Sequence, residues 1–398
     1  MKTFFKAFGL SIAVLLGVII LTLGSYVLYV SFQYYRIEDN KNLDIDSNQT
    51  KTVKTNENLT FTSYNIGFGA YSHDYSFFLD KGYDKFGNLI TGKYGRAYNK
   101  ESVIYNTKGA ISIMENLNSD FYAIQEVDYD STRSHKVNQI EMIKEAFLNY
   151  ANTFALNFHS AYLCYPFFDM HGKNNSGLLT LSKYKMLNST RKSYEVSTAF
   201  FDKFFDLDRC FSVNEIEVEN GKKLILVNSH MSAYDEGGKI RNRQIEQLNQ
   251  FMLEEYNKGN YVVVGGDFNH DLLTYNPDYS YTKENIPFDD IVEQKSPDWI
   301  SYIFNEDGTS IIDSHFKIKA ASDNPTVRGC EAGYVDGFTY VNSVDGFIIS
   351  DNIECISVST LNSADLYTKR FAYSDHQATT LKFKLKWCFL NLFVFPIF

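Results

Sequence analysis

Apolar runs of strand length recur along residues 58–386, and they constrain the fold more than any other feature of the sequence. Examples are LTFTSYNI (59–66), FYAIQEV (121–127), KLILVNSH (223–230), YVVVGGDF (261–268) and GFIIS (346–350). Most of these runs alternate or hold a β-branched apolar centre, which is typical of buried strands. Helical patterns at 99–118 and 239–260 lie between some of them. The order predicts an α/β protein in which two sheets pack face to face with helices outside.

The composition excludes several other classes of protein. The chain holds 48 acidic and 38 basic side chains, a net charge of −10, so it lacks the broad positive surface that holds nucleic acid by bulk charge. With 44% apolar and 22% charged residues, it has the material for a large core and is not a disordered chain. Its five cysteines form no CxxC pair, so neither a zinc site nor a disulfide framework is indicated.

A run of 29 uncharged residues, 7–35, lies between Lys6 and Arg36. Because about 20 apolar residues suffice to cross the hydrocarbon layer as a helix, this run is long enough to span a membrane. It ends in aromatic residues, which suit the membrane–water interface, and it lacks the short apolar region and small-residue site of a cleaved signal peptide. We therefore predict an uncleaved transmembrane anchor at 7–35. The unopposed positive charges before it predict that residues 1–6 are cytoplasmic and the rest of the chain lies outside the membrane.

Three further segments do not fit the pattern of strands and helices. Residues 36–57 are polar and lack apolar periodicity, so we expect a tether between the anchor and the domain at 58–386. Residues 68–98 are rich in Gly and Tyr without a sustained period, which favours a surface loop near a site. Residues 387–398 form an apolar C-terminal tail that is too short to span a bilayer. A packed segment, an interfacial contact and an atypical terminus all stay open for this tail.

Polar side chains interrupt or end several of the apolar runs, where burial is costly unless the side chains are paired or used. Each has an ordinary structural explanation when taken singly, such as a turn former, a strand terminus or a satisfied core histidine. Their joint occurrence at strand ends is what indicates one site. The residues are Asn65, Glu126, His230, Asp267, Asn269, Asp345, Asp375 and His376.

This ordered set resembles the endonuclease/exonuclease/phosphatase superfamily of metal-dependent phosphoesterases. The resemblance covers 58–386 and rests on GDFN, on SDH over a hundred residues later, and on an upstream QE. It implies a DNase I-like fold, a two-layer β-sandwich flanked by helices in the order α/β/β/α. The segment NNSGLLTLSKY (174–184) is similar to the family's Asn/Gly-rich hairpin, so His171, Asn174 or Asn175 would contact the substrate's phosphate.

The candidate residues suit the hydrolysis of a phosphodiester, which requires charge neutralisation, an activated water and a stabilised leaving oxygen. Glu126 is a hard oxygen ligand for Mg²⁺ or Mn²⁺, with Asn65 and Asp375 assisting. The resemblance implies that Asp267 orients or deprotonates the water and that Asn269 contacts the phosphate. It also implies two imidazole roles at the phosphate: His376 oriented by Asp345, and His230 facing a non-bridging oxygen or the leaving group.

Three hypotheses on function stay open. A nuclease would use cations around the cleft, and the loops offer a modest set: Lys93, Arg96, Arg133, Lys136 and Lys173. A sphingomyelinase- or phospholipase C-like enzyme would use apolar loops at a bilayer, which suits the anchor, residues 71–83 and the tail. A binding or scaffold protein without catalysis is disfavoured because every catalytic position is filled.

Residues 131–143, with Arg133 and His135, are a specificity element or a solvated loop. No motif indicates a protein partner, and a small phosphodiester is a further possible substrate.

Overall fold

The computed structural model describes residues 2–84, 86–196, 208–233, 239–285, 287–288, 300–367 and 369–386. The apolar tail at 387–398 lies outside these residues. Helices α1 to α5 are Lys2–Gln33, Lys100–Leu117, Gln139–Ala146, Lys239–Asn257 and Ala364–Tyr367. Strands β1 to β17 are Lys41–Asn42, Leu59–Asn65, Lys81–Tyr83, Leu89–Thr91, Phe121–Asp128, Ala151–His159, Asn175–Ser182, Met186–Ser193, Cys210–Glu217, Lys223–His230, Tyr261–Asp267, Phe316–Lys319, Val327–Arg328, Val341–Asn342, Asp345–Ser350, Ile353–Thr360 and Thr379–Leu385.

Two large sheets form the centre of the domain. One has the strand order β1-β8-β9-β10-β11-β15-β12, and the other has the order β16-β17-β2-β5-β7-β6. Their inner faces share one apolar cluster, in which the rings of Phe61 from β2 and Phe347 from β15 lie 5.5 Å apart. Because both faces of the central strands β10, β11 and β15 are covered, these strands contain continuous apolar runs rather than strict alternations.

Helices cover the outer face of each sheet. Ile113 and Met114 of α2 and Ile143 of α3 pack with Tyr122 and Ile124 of β5. On the other side, apolar residues of α4 pack against β11 and its neighbours. Helix α2 begins where the Asn99 side chain accepts a hydrogen bond from the Ser102 backbone, and it ends before the left-handed Asn118. The layers therefore run α/β/β/α, which confirms the predicted fold class.

The segment predicted to be a free tether, residues 36–57, instead packs along the domain. Strand β1 pairs with β8 at a sheet edge, Asp46 bridges to Asn152, and Val53 bridges to Val218. Val53 is fully buried in the cluster between the sheets. The prediction of a tether was wrong because backbone pairing and one buried valine leave no periodic apolar signal in the sequence.

The segment at 68–98 was predicted to be a surface loop, and that is wrong for its first part. Phe68, Tyr71, Tyr75 and Phe77 are buried and form an apolar cluster of their own beside α2. Only the following part, which contains the short hairpin of β3 and β4, exposes large side chains. An aromatic cluster packed without regular secondary structure has no period, so sequence patterns cannot identify it.

Helix α1 contains an apolar stretch, Phe4–Gln33, in which an 18-residue window reaches a mean hydropathy of 2.5. Its length and composition suffice to cross a membrane, a property that it shares with signal sequences. Most of its side chains are exposed, and Val30 near its end is buried.

Candidate active site

The registers of three neighbouring strands bring the central site residues together. In the parallel pair of β10 and β11, His230 lies opposite Asp267, and in the antiparallel pair of β11 and β15, Asp267 lies opposite Asp345. Directly paired residues in a sheet point to the same face. The carboxyl ends of β10 and β11 and the amino end of β15 therefore place two carboxylates and an imidazole side by side.

His376 completes this cluster from the loop before β17. Its Nδ1 lies 2.7 Å from the Asp345 carboxylate, and its Nε2 lies 3.7 Å from Oδ2 of Asp267. The Nε2 atom of His230 lies 3.4 Å from the same oxygen of Asp267. All four side chains are buried. Asp267 is thus flanked by two imidazoles, of which one is held by a second carboxylate.

Asn65 and Glu126 enter the site from the other sheet. The Asn65 side-chain nitrogen lies 3.1 Å from Asp267 Oδ2 and 3.3 Å from Glu126 Oε1, so it links the two sheets. Glu126 lies at a bulge in β5 and has a positive φ of 55°, in the left-handed region that non-glycine residues seldom adopt. A bulge redirects a side chain out of the strand's alternation. Backbone strain of this kind clusters at functional sites.

Asp375 is positioned by the loop that also supplies His376. The hydroxyl of Ser374 donates to the backbone carbonyl of Asn65 and lies 3.2 Å from Oδ1 of Asp375. The turn after Asn65 approaches closely, since a Cβ added to Gly67 would lie 3.0 Å from the Asp375 carboxylate and 2.6 Å from Tyr71. Gly67 also has a φ of +52°. A glycine is therefore required for this turn to reach the carboxylate.

A cavity of about 560 Å³ opens over these residues. Six of the eight candidates line it, namely Glu126, His230, Asp267, Asn269, Asp375 and His376. Asn65 and Asp345 are buried and contact lining residues without being part of the wall. The structure thus brings all eight residues to one place, six at the surface of the cavity and two behind it.

The two imidazoles differ in charge because their surroundings differ. Burial alone lowers the pKa of His376, but the carboxylates of Asp345, Asp375 and Asp267 together raise it well above its usual range. Burial lowers the pKa of His230 well below its usual range, and Arg209 and His376 lower it further. His376 is therefore an imidazolium and His230 a neutral imidazole near pH 7.

The pKa values of two carboxyl groups in the site, Asp267 and Glu126, are both raised. Burial raises the pKa of Asp267 to about 6, with His376 opposing this shift and Asp345 reinforcing it. Burial also raises the pKa of Glu126, with Arg133 opposing and Asp375 reinforcing. Several acids held close together in a cavity favour a bound proton or a bound cation.

Two arginines at the cavity were not assigned to the site by the sequence motifs. Arg133 is buried, lies 3.8 Å over the ring of Phe68 and forms two hydrogen bonds to the Asp128 carboxylate, at 2.8 and 2.9 Å. It is therefore not part of a solvated loop, one of the two alternatives for 131–143. Arg209 is only 4% exposed and also lines the cavity. The one signal for Arg209 is that it directly precedes β9, a strand that begins with the apolar pair Cys210 and Phe211.

Of the three residues predicted to contact phosphate, His171 lines the cavity, whereas Asn174 and Asn175 do not. His171 lines the cavity, its Nδ1 lies 2.6 Å from the Gly95 carbonyl, and burial, with Arg133 adding, lowers its pKa to about 4. Asn174 uses its side chain within the loop, where it accepts from the Arg133 backbone and donates to the carbonyls of His171 and Gly172. Asn175 is in β7 and, like Asn174, is not among the lining residues.

The donor set fits a hard divalent cation. Glu126, Asp267 and Asp375 offer carboxylate oxygens to one cavity, and such oxygens are the ligands that Mg²⁺ and Mn²⁺ prefer. In the described residues, the group whose ligand atoms all lie within 4.8 Å of one another is Asp267, Asp345 and His376. Within this group Asp345 and His376 are hydrogen-bonded to each other, and Asp267 accepts from the side chain of Asn65, one of the predicted metal ligands.

A two-sheet α/β fold with carboxylates and imidazoles around one cavity defines a hydrolase of phosphoester bonds. Comparison with family models identifies the family: the model of the endonuclease/exonuclease/phosphatase family matches residues 63–376, and the chain belongs to this family. The resemblance stated from the motifs is thereby confirmed. No curated protein matches the chain significantly.

Solved structures that are similar to this chain share little sequence with it. The structure of ANGEL2, a 2′,3′-cyclic phosphatase, in complex with adenosine-2′,3′-vanadate has a TM-score of 0.51 at 15% identity, covering 88% of this chain and 99% of that chain. Truncated TDP2 of Caenorhabditis elegans has a TM-score of 0.49 at 15% identity, covering 83% and 99%. An endonuclease/exonuclease/phosphatase from Beutenbergia cavernae has a TM-score of 0.45 at 12% identity, covering 83% and 72%.

Proposed function

We propose that this protein is a membrane-anchored, divalent-metal-dependent phosphodiesterase. The observation that carries the proposal is the single cavity that combines a buried Asp–His–Asp cluster with the carboxylates of Glu126 and Asp375. This combination suits attack by water on a phosphodiester better than it suits binding alone, because burying several like charges without a task is costly. It disfavours a scaffold protein without catalysis.

Glu126, Asn65 and Asp375 would hold Mg²⁺ or Mn²⁺ at the end of the cavity formed by β2 and β5. A divalent ion bound there neutralises phosphate charge and stabilises the leaving oxygen. The remaining residues position the substrate and move the proton.

Asp267 is the proton acceptor for the attacking water. Its carboxylate is buried, its raised pKa matches proton transfer near neutral pH, and it is fixed on one side by the backbone N–H of Asn269, 3.0 Å from Oδ1. Asn269 itself lines the cavity, and its amide nitrogen donates to the Met231 carbonyl at 3.0 Å. That bond orients the amide for a contact with the phosphate.

The two histidines have separate roles that follow from their charges. His376, an imidazolium held by Asp345, offers a charged donor to a phosphate oxygen. His230 is neutral, faces Asp267 through Nε2, and its Nδ1 has no hydrogen-bond partner in the described part of the chain. A neutral imidazole of this kind can hold a proton for a non-bridging oxygen or the leaving group. Arg133 and Arg209 add positive charge around the anionic substrate.

Removal of the metal is the first test of this function. The full chain, purified in detergent, is expected to hydrolyse bis(p-nitrophenyl) phosphate with Mg²⁺ or Mn²⁺, to lose most of this activity in excess EDTA and to regain it when the metal is restored. Release of p-nitrophenol measures the rate. Full activity in EDTA would contradict the metal requirement, and no hydrolysis with either metal would contradict the proposed function.

We further propose that α1 is an uncleaved anchor, with residues 1–6 in the cytoplasm and the catalytic domain outside. The length and hydropathy of α1, the tyrosines at its end and the lysines before it support this topology. Proteinase added to intact cells is expected to remove the catalytic domain while a cytoplasmic marker stays intact. If the domain is cleaved only after permeabilisation, the outward orientation is wrong.

A further inference from the structure

Exposed apolar side chains are concentrated on two segments beside the cavity. The segments are the β3–β4 hairpin region at 79–91 and the loop at 162–168. Phe86 is 78% exposed, Phe167 is 71% exposed, and Phe168 is fully exposed. Single exposed apolar residues are ordinary, but an adjoining group of them indicates a contact surface. We name this group the apolar rim: Leu79, Tyr83, Phe86, Leu89, Tyr165, Phe167 and Phe168.

Part of the apolar rim belongs to the wall of the cavity. Leu79, Tyr83, Leu89 and Tyr165 contribute to the cavity wall as well as to the exposed surface. The two segments contact each other, since the rings of Phe78 and Tyr165 lie 5.5 Å apart. A substrate bound in the cavity therefore lies next to the apolar rim.

The loop at 162–168 is also attached to the end of α1. The hydroxyl of Tyr26 donates to the carbonyl of Tyr162 at 3.1 Å and lies 3.2 Å from the backbone nitrogen of Cys164. The hydroxyl of Tyr29 accepts from the backbone nitrogen of Tyr162 at 3.1 Å. Near the same place, the ring of Tyr35 stacks on His159 with 4.0 Å between ring centroids. These contacts fix the loop against the last two turns of the apolar helix.

These contacts place the apolar rim at the level of the membrane surface. Tyrosines at the end of a spanning helix lie at the membrane–water interface, so residues 162–164 lie there as well. Phe168 is four residues beyond Cys164 and thus within about 14 Å of that level. The hairpin region carries two acidic residues, Asp80 and Asp84, and two basic residues, Lys81 and Lys85, so its affinity for a bilayer comes from apolar contact rather than from net charge.

We propose that the apolar rim inserts into the surface of the bilayer that holds α1 and that the substrate is a phospholipid of that bilayer. The assignment of the substrate rests on the proposed function, and the docking rests on the proposed membrane anchor α1 but not on catalysis. In the reaction, the oxygen of water bonds to phosphorus and one P–O ester bond breaks. The water's proton passes to the protein and the leaving oxygen takes up a proton. The products are an alcohol and a phosphate monoester.

Docking is tested without catalysis by fluorescence. Full-length Phe168→Trp and Leu148→Trp variants are reconstituted in phosphatidylcholine vesicles with or without bromine on the acyl chains. Leu148 is 73% exposed and precedes β6, roughly 26 Å along that strand from the end that leads to the apolar rim. Relative to the parent chain, the tryptophan added at 168 is expected to be quenched by brominated lipid at least five times as strongly as the one at 148. Equal quenching would overturn the docking.

The substrate is tested with a matched pair of double variants in the same vesicles. Phe167→Ser/Phe168→Ser removes exposed rings that do not line the cavity, and Leu148→Ser/Leu187→Ser removes exposed apolar side chains at the opposite end of the domain. Phosphorus NMR follows the conversion of phosphatidylcholine to a phosphate monoester. The first pair is expected to lower this rate at least tenfold while hydrolysis of bis(p-nitrophenyl) phosphate is unchanged. The second pair is expected to change neither.

The outcomes separate the two proposals. If the parent chain cleaves bis(p-nitrophenyl) phosphate but not phosphatidylcholine in its own vesicles, the lipid substrate is wrong. If both double variants lower phosphatidylcholine hydrolysis equally, the apolar rim has no special part and the inference fails. If the parent cleaves neither substrate, the proposed function fails and the lipid substrate with it, while the quenching at 168 still decides the docking.

Discussion

Replacing Asp267 with asparagine is expected to lower kcat/KM for a soluble phosphodiester by about 10³-fold, within the range typical of a lost general base. The amide has nearly the same shape as the carboxylate and can still accept from the backbone nitrogen of Asn269, which lies 3.0 Å from Oδ1. It cannot take a proton from water. Because burial raises the pKa of the Asp267 carboxyl to about 6, the native residue is suited to that transfer.

Two measurements keep this result specific. Thermal unfolding of Asp267→Asn should resemble that of the parent, since the variant removes a charge whose burial is itself costly. Asp278→Asn is the matched control, because Asp278 is exposed, pairs with Lys319 and does not line the cavity. An exposed ion pair contributes roughly 0–1 kcal/mol, so the control should keep full activity. Undiminished turnover by Asp267→Asn would show that another group accepts the proton.

The core of the site could be predicted because its residues stand at the ends of apolar strands. Asp267 ends the apolar run YVVVGGDF, and His230 ends the run KLILVNSH. Once two such strands are adjacent and parallel, their last residues meet, as they do in the register of β10 and β11. The sequence does not show which strands are adjacent. The motif order, through the resemblance to a family, provided that information.

Glu126 illustrates what local patterns leave out. The motif predicted it as a metal ligand, but strict alternation along FYAIQEV would place it on the same face as Ile124 and opposite to Gln125. Its side chain reaches the cavity because the strand bulges between Ile124 and Val127 and Glu126 adopts a φ of 55°. A bulge depends on pairing with β7, which no short sequence window contains.

Arg209 could not be predicted because its place depends on the fold of distant segments. It directly precedes β9, and β9 runs antiparallel to β10, so the beginning of β9 lies beside the carboxyl end of β10 and His230. Nothing in the sequence around Arg209 resembles a site motif. A charged residue immediately before a largely buried strand is a weak signal that becomes informative only after the sheet order is known.

Replacing Glu126 with glutamine is expected to lower activity by at least about 100-fold at low Mg²⁺ and to raise the Mg²⁺ concentration that gives half of the maximal rate. Even removal of a group that only supports a metal ligand costs about 10- to 100-fold in affinity or activity, and Glu126 is proposed as a ligand itself. The glutamine can still accept from the Asn65 amide, which lies 3.3 Å from Oε1, so packing is kept while the charge is lost.

Mg²⁺ titrations of the hydrolysis rate, together with calorimetric metal binding, measure both effects. Glu331→Gln is the matched control, because Glu331 is the other glutamate that lines the cavity in the described residues and is assigned no metal. An equal rise in the Mg²⁺ requirement for both variants would show that the cavity attracts the metal through its total charge, and Glu126 would then not be a ligand.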